Sequence, residues 1–146
     1  MENVLIRRLK TEDAEEIGRI NALIAKGADA RDFKRMVEDL ARSPVDISYV
    51  AECGGKVVGY MITYLLSAGF GIDKSAWIAT LGVEPILMGQ GIGKAMAKEI
   101  FEFYRKKGIN NIYTSVRWDS TDLLSFFKTL GFDRSNFINL RKEMES

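Results

Sequence analysis

The segment Met88-Gly89-Gln90-Gly91-Ile92-Gly93-Lys94 sets three glycines at alternate positions ahead of a long run with helical apolar spacing. Glycine weakens the first turn of a helix, so this choice calls for a physical reason. Bare backbone lets a ligand come close, and the free N–H groups at a helix start form an anion site backed by the helix dipole. Successive N–H donors in such a loop can cradle a phosphate or a diphosphate. Two nucleotide patterns fail on this spacing: a dinucleotide fingerprint needs glycine where Lys94 stands, and a P-loop needs glycine at Met88 and Ser or Thr at Ala95. A strand-to-helix turn without a ligand is the plain alternative.

Side chains able to carry other chemistry are scarce. The chain holds no histidine and a single cysteine, Cys53. That excludes Ser-His-Asp triads, Cys-His dyads, His-ligated metal sites, thiolate zinc clusters and an intrachain disulfide, and no metal is expected. The 146 residues suffice for one sizeable core and are read as a single domain over 1–146. Hydrophobic residues at 47%, charged residues at 28% and a net charge of +1 describe an ordinary globular chain. The basic stripe of a nucleic-acid binder is missing. MENVLIRRLK lacks the apolar core of a signal peptide, and the most apolar stretch, residues 59–72, is too short and too polar for a membrane span. A cytoplasmic protein with neither nucleic-acid nor membrane partners is expected.

The elements that must position the glycines follow from periodicity. Val4 and Ile6 mark a first strand, and Thr11 offers an N-cap to a helix carrying Ala14, Ile17, Ile20 and Ile24 at helical spacing. A second helix is predicted over Asp32 to Ala41, stopped by Ser43-Pro44, with KGADAR as the intervening loop. ISYVAE and KVVGYMITYLL flank Cys53-Gly54-Gly55-Lys56 as an antiparallel hairpin. SAWIATLGV reads as the next strand. A half-buried helix follows the glycines, with Ile92, Met96, Ala97, Ile100, Phe103 and Tyr104 inward and a stop at Lys106-Lys107-Gly108. NIYTSV is a predicted strand, STDLLSFFKTL a helix, and Phe137 to Arg141 a closing strand. The order defines a mixed α/β layer fold.

Taken together, LGVEPILMGQGIGKAMAKEI and SVRWDSTDLLSFFKTLGF resemble the acetyl-CoA-binding core of the GNAT superfamily of N-acetyltransferases and the strand and helix after it, down to Gly131-Phe132. They fill most of residues 75–132, and the first half of the chain matches in element order only. The resemblance implies a strongly bent mixed sheet, flanked by helices and split near its middle to admit the cofactor. It implies that the N–H groups of Met88, Gly89, Gln90, Gly91, Ile92, Gly93 and Lys94 hold the pyrophosphate of coenzyme A. Leu81, Gly82 and Val83 would pair with the pantetheine arm as if it were an added strand. An amide there would polarise the thioester carbonyl.

Departures from the family's pattern define the remaining expectations. Met88 stands where Arg or Gln is usual, which removes a charged hydrogen bond worth about 1.5–3 kcal/mol. Ser120 stands at a common Asn, and Phe127 at a Tyr commonly assigned to protonate the leaving thiolate. Both positions would border the cofactor, and Ser120 or a water would donate the proton instead. The family's carboxylate positions are occupied by Ser115 and Trp77, which leaves Glu84 and Asp119 as candidate bases. Tyr113, Ser115 and Arg117 share one face of their predicted strand and would line an acceptor pocket. Trp77 and Trp118 are expected to be packing anchors, and Arg7-Arg8 a solvated strand end. Cys53 has no base partner in view.

The resulting expectation is an acetyl-CoA-dependent N-acetyltransferase acting on a primary amine by direct attack in a ternary complex, with positioning and carbonyl polarisation supplying most of the acceleration. Acetyl-CoA and an amine acceptor are the expected partners, with a homodimer admitted. The KGADAR loop, the SAGFGIDK loop and the segment after Phe132 would set the acceptor. A non-catalytic acyl-CoA-binding module is the competing reading, and a nucleotide-binding domain a third.

Overall fold

Gly54 and Gly55, at φ of 59° and 82°, supply the two positive dihedrals of a primed two-residue turn, which joins β2 (Tyr49–Cys53) to β3 (Lys56–Leu66). This hairpin is the centre of a five-stranded sheet in the computed structural model, which describes residues 3–24, 30–67 and 73–145. The other strands are β1 (Val4–Arg8), β4 (Ser75–Val83) and β5 (Ile112–Tyr113). Their spatial order is β1-β2-β3-β4-β5, antiparallel throughout except for the parallel β4–β5 pair. The chain divides into two compact units between Thr114 and Ser115.

In the first unit, α1 (Ala14–Ile24) and α2 (Ala30–Arg42) cover one sheet face. Ile17, Ile20 and Val37 pack there with Val50, Tyr60 and Ile62, and Phe33 meets the Tyr60 ring edge-on at 6.1 Å. Helix α3 (Ile92–Lys106) buries Ile92, Met96, Ala97, Ile100 and Tyr104. A Cβ at Gly59 would come within 3.2 Å of Ile92 and Met96, so glycine sets how closely α3 sits on β3. Thr63, also buried, bonds the Ile47 carbonyl and lies 2.6 Å from the Tyr104 hydroxyl, which accepts from the Ile47 N–H at 3.2 Å. Among the described residues no buried side-chain nitrogen or oxygen lacks a hydrogen-bond partner.

Two one-residue irregularities interrupt the ladders. Between β2 and β3 the pairing steps over Val58, and between β3 and β4 it steps over Ala79. Each re-aims the strand that carries the extra residue. Val58 gives its carbonyl to the Glu84 N–H at 2.8 Å, which fixes the end of β4.

Several expectations are corrected. Thr11 is not the cap of α1: it opens a 3-10 turn, Thr11–Asp13, and the Asp13 carboxylate caps backward onto the Lys10 N–H at 2.8 Å. Arg7 is not a solvated strand end. It grips Asp13 at 2.9 Å through two nitrogens and Glu52 at 2.6 Å, with Asp13 buried and Arg7 and Glu52 half-buried. Burial opposes ionisation of Asp13, but the Arg7 guanidinium and the Lys10 N–H outweigh it and hold the carboxyl below its ordinary range. The strand predicted over NIYTSV stops at Tyr113, because the Thr114 hydroxyl takes the Ile78 carbonyl at 3.0 Å in place of a ladder amide. Of the predicted loop KGADAR, Ala30 and Arg31 belong instead to α2, and its other residues, like residues 68–72 of SAGFGIDK, lie outside the described residues.

The second unit holds α4 (Thr121–Thr129), where Phe127 sits between Phe126 and Phe132 in edge-to-face contacts at 5.3 and 5.1 Å. Phe137 to Arg141 form no strand. The Ser135 hydroxyl bonds both the N–H and the carbonyl of Phe137, at 3.1 and 3.2 Å, a local alternative to ladder pairing. Trp118 is 86% exposed, so it is not a packing anchor.

Candidate functional site

The end of β4 is bonded on one side only. Its inner edge pairs Leu81, Gly82 and Val83 with Met61, Tyr60 and Gly59. On the outer edge β5 reaches only Ala76 and Trp77, so from Ala79 to Val83 no described strand is paired there. Such an edge offers backbone donors and acceptors to any extended ligand. Gly82 owes its identity to the protein interior: a Cβ there would lie 2.7 Å from the Ile24 methyl and from two ring carbons of Tyr60. Burial pushes the Tyr60 phenol up to about 12, against a hydrogen bond from Thr80, and its hydroxyl donates to Asn21 Oδ1 at 3.3 Å.

Beyond β4 the chain makes a 3-10 turn, Pro85–Leu87, closed by Leu87 N–H to Glu84 O at 2.8 Å and Met88 N–H to Pro85 O at 3.3 Å. Gly89 and Gly91 then take φ of 81° and 84°, where a side chain would be strained. The space a Cβ would enter is open at both. Among the described residues the N–H groups of Gly89, Gln90 and Gly91 donate no hydrogen bond. The Ala95 N–H makes the first helical bond, to Gly91 O at 3.0 Å, so those of Ile92, Gly93 and Lys94 precede the α3 ladder. Six consecutive donors therefore stand at the positive end of a 15-residue helix. The Met88 N–H is engaged and does not join them.

The candidate bases are both held by arginines. Glu84 accepts from Arg19 at 3.2 and 2.8 Å, and that bond, over a smaller burial effect, keeps its carboxyl below the ordinary value. In the second unit Asp119 accepts from Arg117 at 3.0 Å through each oxygen, with the same result. Ser120 is the N-cap of α4 but its side chain makes no cap bond, and its backbone carbonyl accepts from Leu124 at 3.0 Å. Phe127 is buried and brings no polar atom. Tyr113, Ser115 and Arg117 do not share a strand: Tyr113 ends β5, Ser115 accepts from Asn139 Nδ2 at 3.3 Å, and Arg117 is paired with Asp119.

The structure thus gathers Leu81 to Lys94, apart from the engaged Met88 amide, into one open edge and one bare helix start. Arg19 is the participant that sequence reasoning missed. Its pairing with Glu16 is readable as an i,i+3 contact on α1, but nothing local links it to a carboxylate 65 positions away. Among the described residues no cluster of metal-binding side chains forms, and no described helix is long and apolar enough to cross a membrane.

An open strand edge running into an unsatisfied helix start suits an extended ligand that ends in a phosphate, and the comparisons with known proteins give the class. The acetyltransferase (GNAT) family profile matches residues 13–132, and the chain belongs to that family. It is 30% identical, over 91% of its length and 80% of the other's, to the N-alpha-acetyltransferase RimI of Mycobacterium tuberculosis. It is 25% identical to a mycothiol acetyltransferase of Renibacterium salmoninarum, over 70% of this chain but only 30% of that one. The fold matches an aminoglycoside N-acetyltransferase solved in complex with CoA, with a TM-score of 0.82 at 14% identity, over 97% and 95% of the two chains. The chain is an acetyltransferase of mixed α/β fold.

Proposed function

We propose that the enzyme transfers the acetyl group of acetyl-CoA to an amine within a ternary complex, with both units acting as parts of one domain. The family match crosses the break between the units, which favours that reading. The six unpaired amides from Gly89 to Lys94 carry the proposal. They would hold the diphosphate, and the outer edge of β4 from Ala79 to Val83 would take the pantetheine amides as a further strand. The amine nitrogen attacks the thioester carbon, a C–N bond forms, the C–S bond breaks, and CoA leaves as a thiolate. One amine proton is lost to solvent before attack and a second after it, while the thiolate takes up a proton to become the thiol.

Neither Glu84 nor Asp119 is a strong base at neutral pH while its arginine holds it, so deprotonation falls largely on the acceptor itself. An α-amine, with a pKa near 8, is about tenfold more protonated than free at pH 7, against more than a thousandfold for a lysine side chain. This favours α-amines, the class named by the N-alpha-acetyltransferase relative. Thiol release from acetyl-CoA, measured with a panel of amines, tests the proposal. The second reading, a CoA-binding module without turnover, is favoured by Phe127, and it predicts CoA binding with no release above background for any amine.

A further inference from the structure

Three aromatic residues stand in register across the sheet. Tyr64 on β3 is opposite Trp77 on β4, and Trp77 is beside Tyr113 on β5. Residues paired across a ladder point to the same face. Trp77 and Tyr113 stack with centroids 5.0 Å apart and planes 26° from parallel, and all three side chains are half-buried. Tyr60 and Ile62 alternate with Tyr64 along β3 and enter the core with α1 and α2, so the row occupies the α2 side of the sheet.

On that side a groove of about 570 Å³ runs between α2 and the sheet. Met36, Leu40, Tyr64 and Ala79 give it apolar walls, and Asp32, Arg35 and Asp39 line it as charged groups. Ala79 is the residue stepped over in the β3–β4 ladder, and it lies where the outer edge of β4 becomes unpaired. The groove therefore opens at the strand edge proposed to carry the thioester. Asp39 also lies 3.6 Å from Arg42, so the carboxylates and guanidinium groups at the groove balance one another. A balanced lining gives little to a polycation, while the aromatic row and the methionine and leucine suit a ring.

We infer that this groove and the adjoining aromatic row receive the acceptor, and that the acceptor is a monocationic amine carrying an aromatic or large apolar group beside its nitrogen. The inference rests on the acetyl-transfer reading for the position of the thioester. The ring lies against Tyr64 and Trp77, and the ammonium faces the groove carboxylates until it loses its proton.

The test uses the whole chain with Trp118→Phe, so that Trp77 is the remaining tryptophan and reports on the groove by fluorescence. The probes are a short peptide amide starting with Phe, the same peptide starting with Gly, phenylethylamine and spermidine, each with acetyl-CoA for turnover and with CoA for binding. The Phe peptide and phenylethylamine are expected to quench Trp77 saturably, and the Phe peptide to exceed the Gly peptide in kcat/KM by about tenfold or more. Tyr64→Ala and Trp77→Leu should bring the two peptides within about twofold of each other by raising KM for the Phe peptide, with CoA affinity retained. Phenylethylamine matching the Phe peptide would point to a small-molecule acceptor, and a clear peptide advantage to a chain terminus; both agree with the groove assignment. Saturable quenching without turnover sinks the transferase reading and keeps the groove. Equal use of the two peptides by the unaltered aromatic row, spermidine as the best acceptor, or no saturable response of Trp77 overturns the inference.

Discussion

Arg19 on α1 holds Glu84, just past the end of β4, through both carboxylate oxygens at 3.2 and 2.8 Å, and bonds Glu16 through the same guanidinium. A carboxylate held this way stays ionised but has little appetite for a proton. Glu84→Gln is therefore expected to lower kcat at pH 7 by less than about tenfold, short of the 10²–10⁴-fold that a general base contributes. Steady-state thiol release checks this, and a loss of a hundredfold or more would restore Glu84 as the base.

The Asp13 site ties stability to pH. Its carboxyl pKa is lowered in the fold, so the stabilisation is fully present above the ordinary value of 3.8 and is lost as pH falls through the depressed one. Asp13→Asn leaves Arg7 with Glu52 alone and weakens the bond to the Lys10 N–H. It should cost about 1–3 kcal/mol at pH 7. Urea unfolding at pH 7 and again near pH 3 should show the gap between variant and parent closing in acid.

Two glycines of the site separate packing from binding. Gly82→Ala drives a methyl to within 2.7 Å of Ile24 and Tyr60 and should destabilise the fold by about 1–3 kcal/mol. Gly91→Ala meets open space but must hold φ near 84°, a strain of about 1–2 kcal/mol that distorts the donor row. Calorimetric titration should find CoA affinity lowered more by Gly91→Ala than by Gly82→Ala, with thermal unfolding giving both stability costs.

Phe127→Tyr adds the proton donor that the resemblance places at this position. The new hydroxyl enters a phenyl cluster, so a stability loss of about 1–3 kcal/mol is expected. A rise in kcat of about tenfold or more, with CoA affinity unchanged, would show that thiolate protonation limits turnover. An unchanged kcat would mean that the free thiolate, of ordinary pKa near 8.5, leaves unaided.

Those elements whose pattern is local were legible in the sequence. Helix α3 and its apolar face, the Gly54-Gly55 turn and the bare approach to Ile92 follow from period, from positive φ and from helix-end chemistry. Long-range partners were not legible. The chain gives no sign that Arg7 folds back onto Asp13, that Arg19 reaches Glu84, or that Tyr64, Trp77 and Tyr113 fall in register. Alternation in Phe137 to Arg141 predicts a strand, but period cannot show whether a partner edge is present, and the Ser135 hydroxyl claims that backbone instead. The glycines held a mixed lesson. Gly89 and Gly91 are needed for dihedral reasons, and Gly82 for its contact with Tyr60 and Ile24.

The central claim is that backbone donors ahead of α3 hold a diphosphate. Titrating CoA into ¹⁵N-labelled protein and following each amide resonance tests it most directly. Saturable shifts of Gly89 through Lys94, with weaker ones along Leu81 to Val83, are the predicted result. Shifts that spare Gly89 to Lys94 while CoA binds elsewhere, or no binding at all, would contradict it.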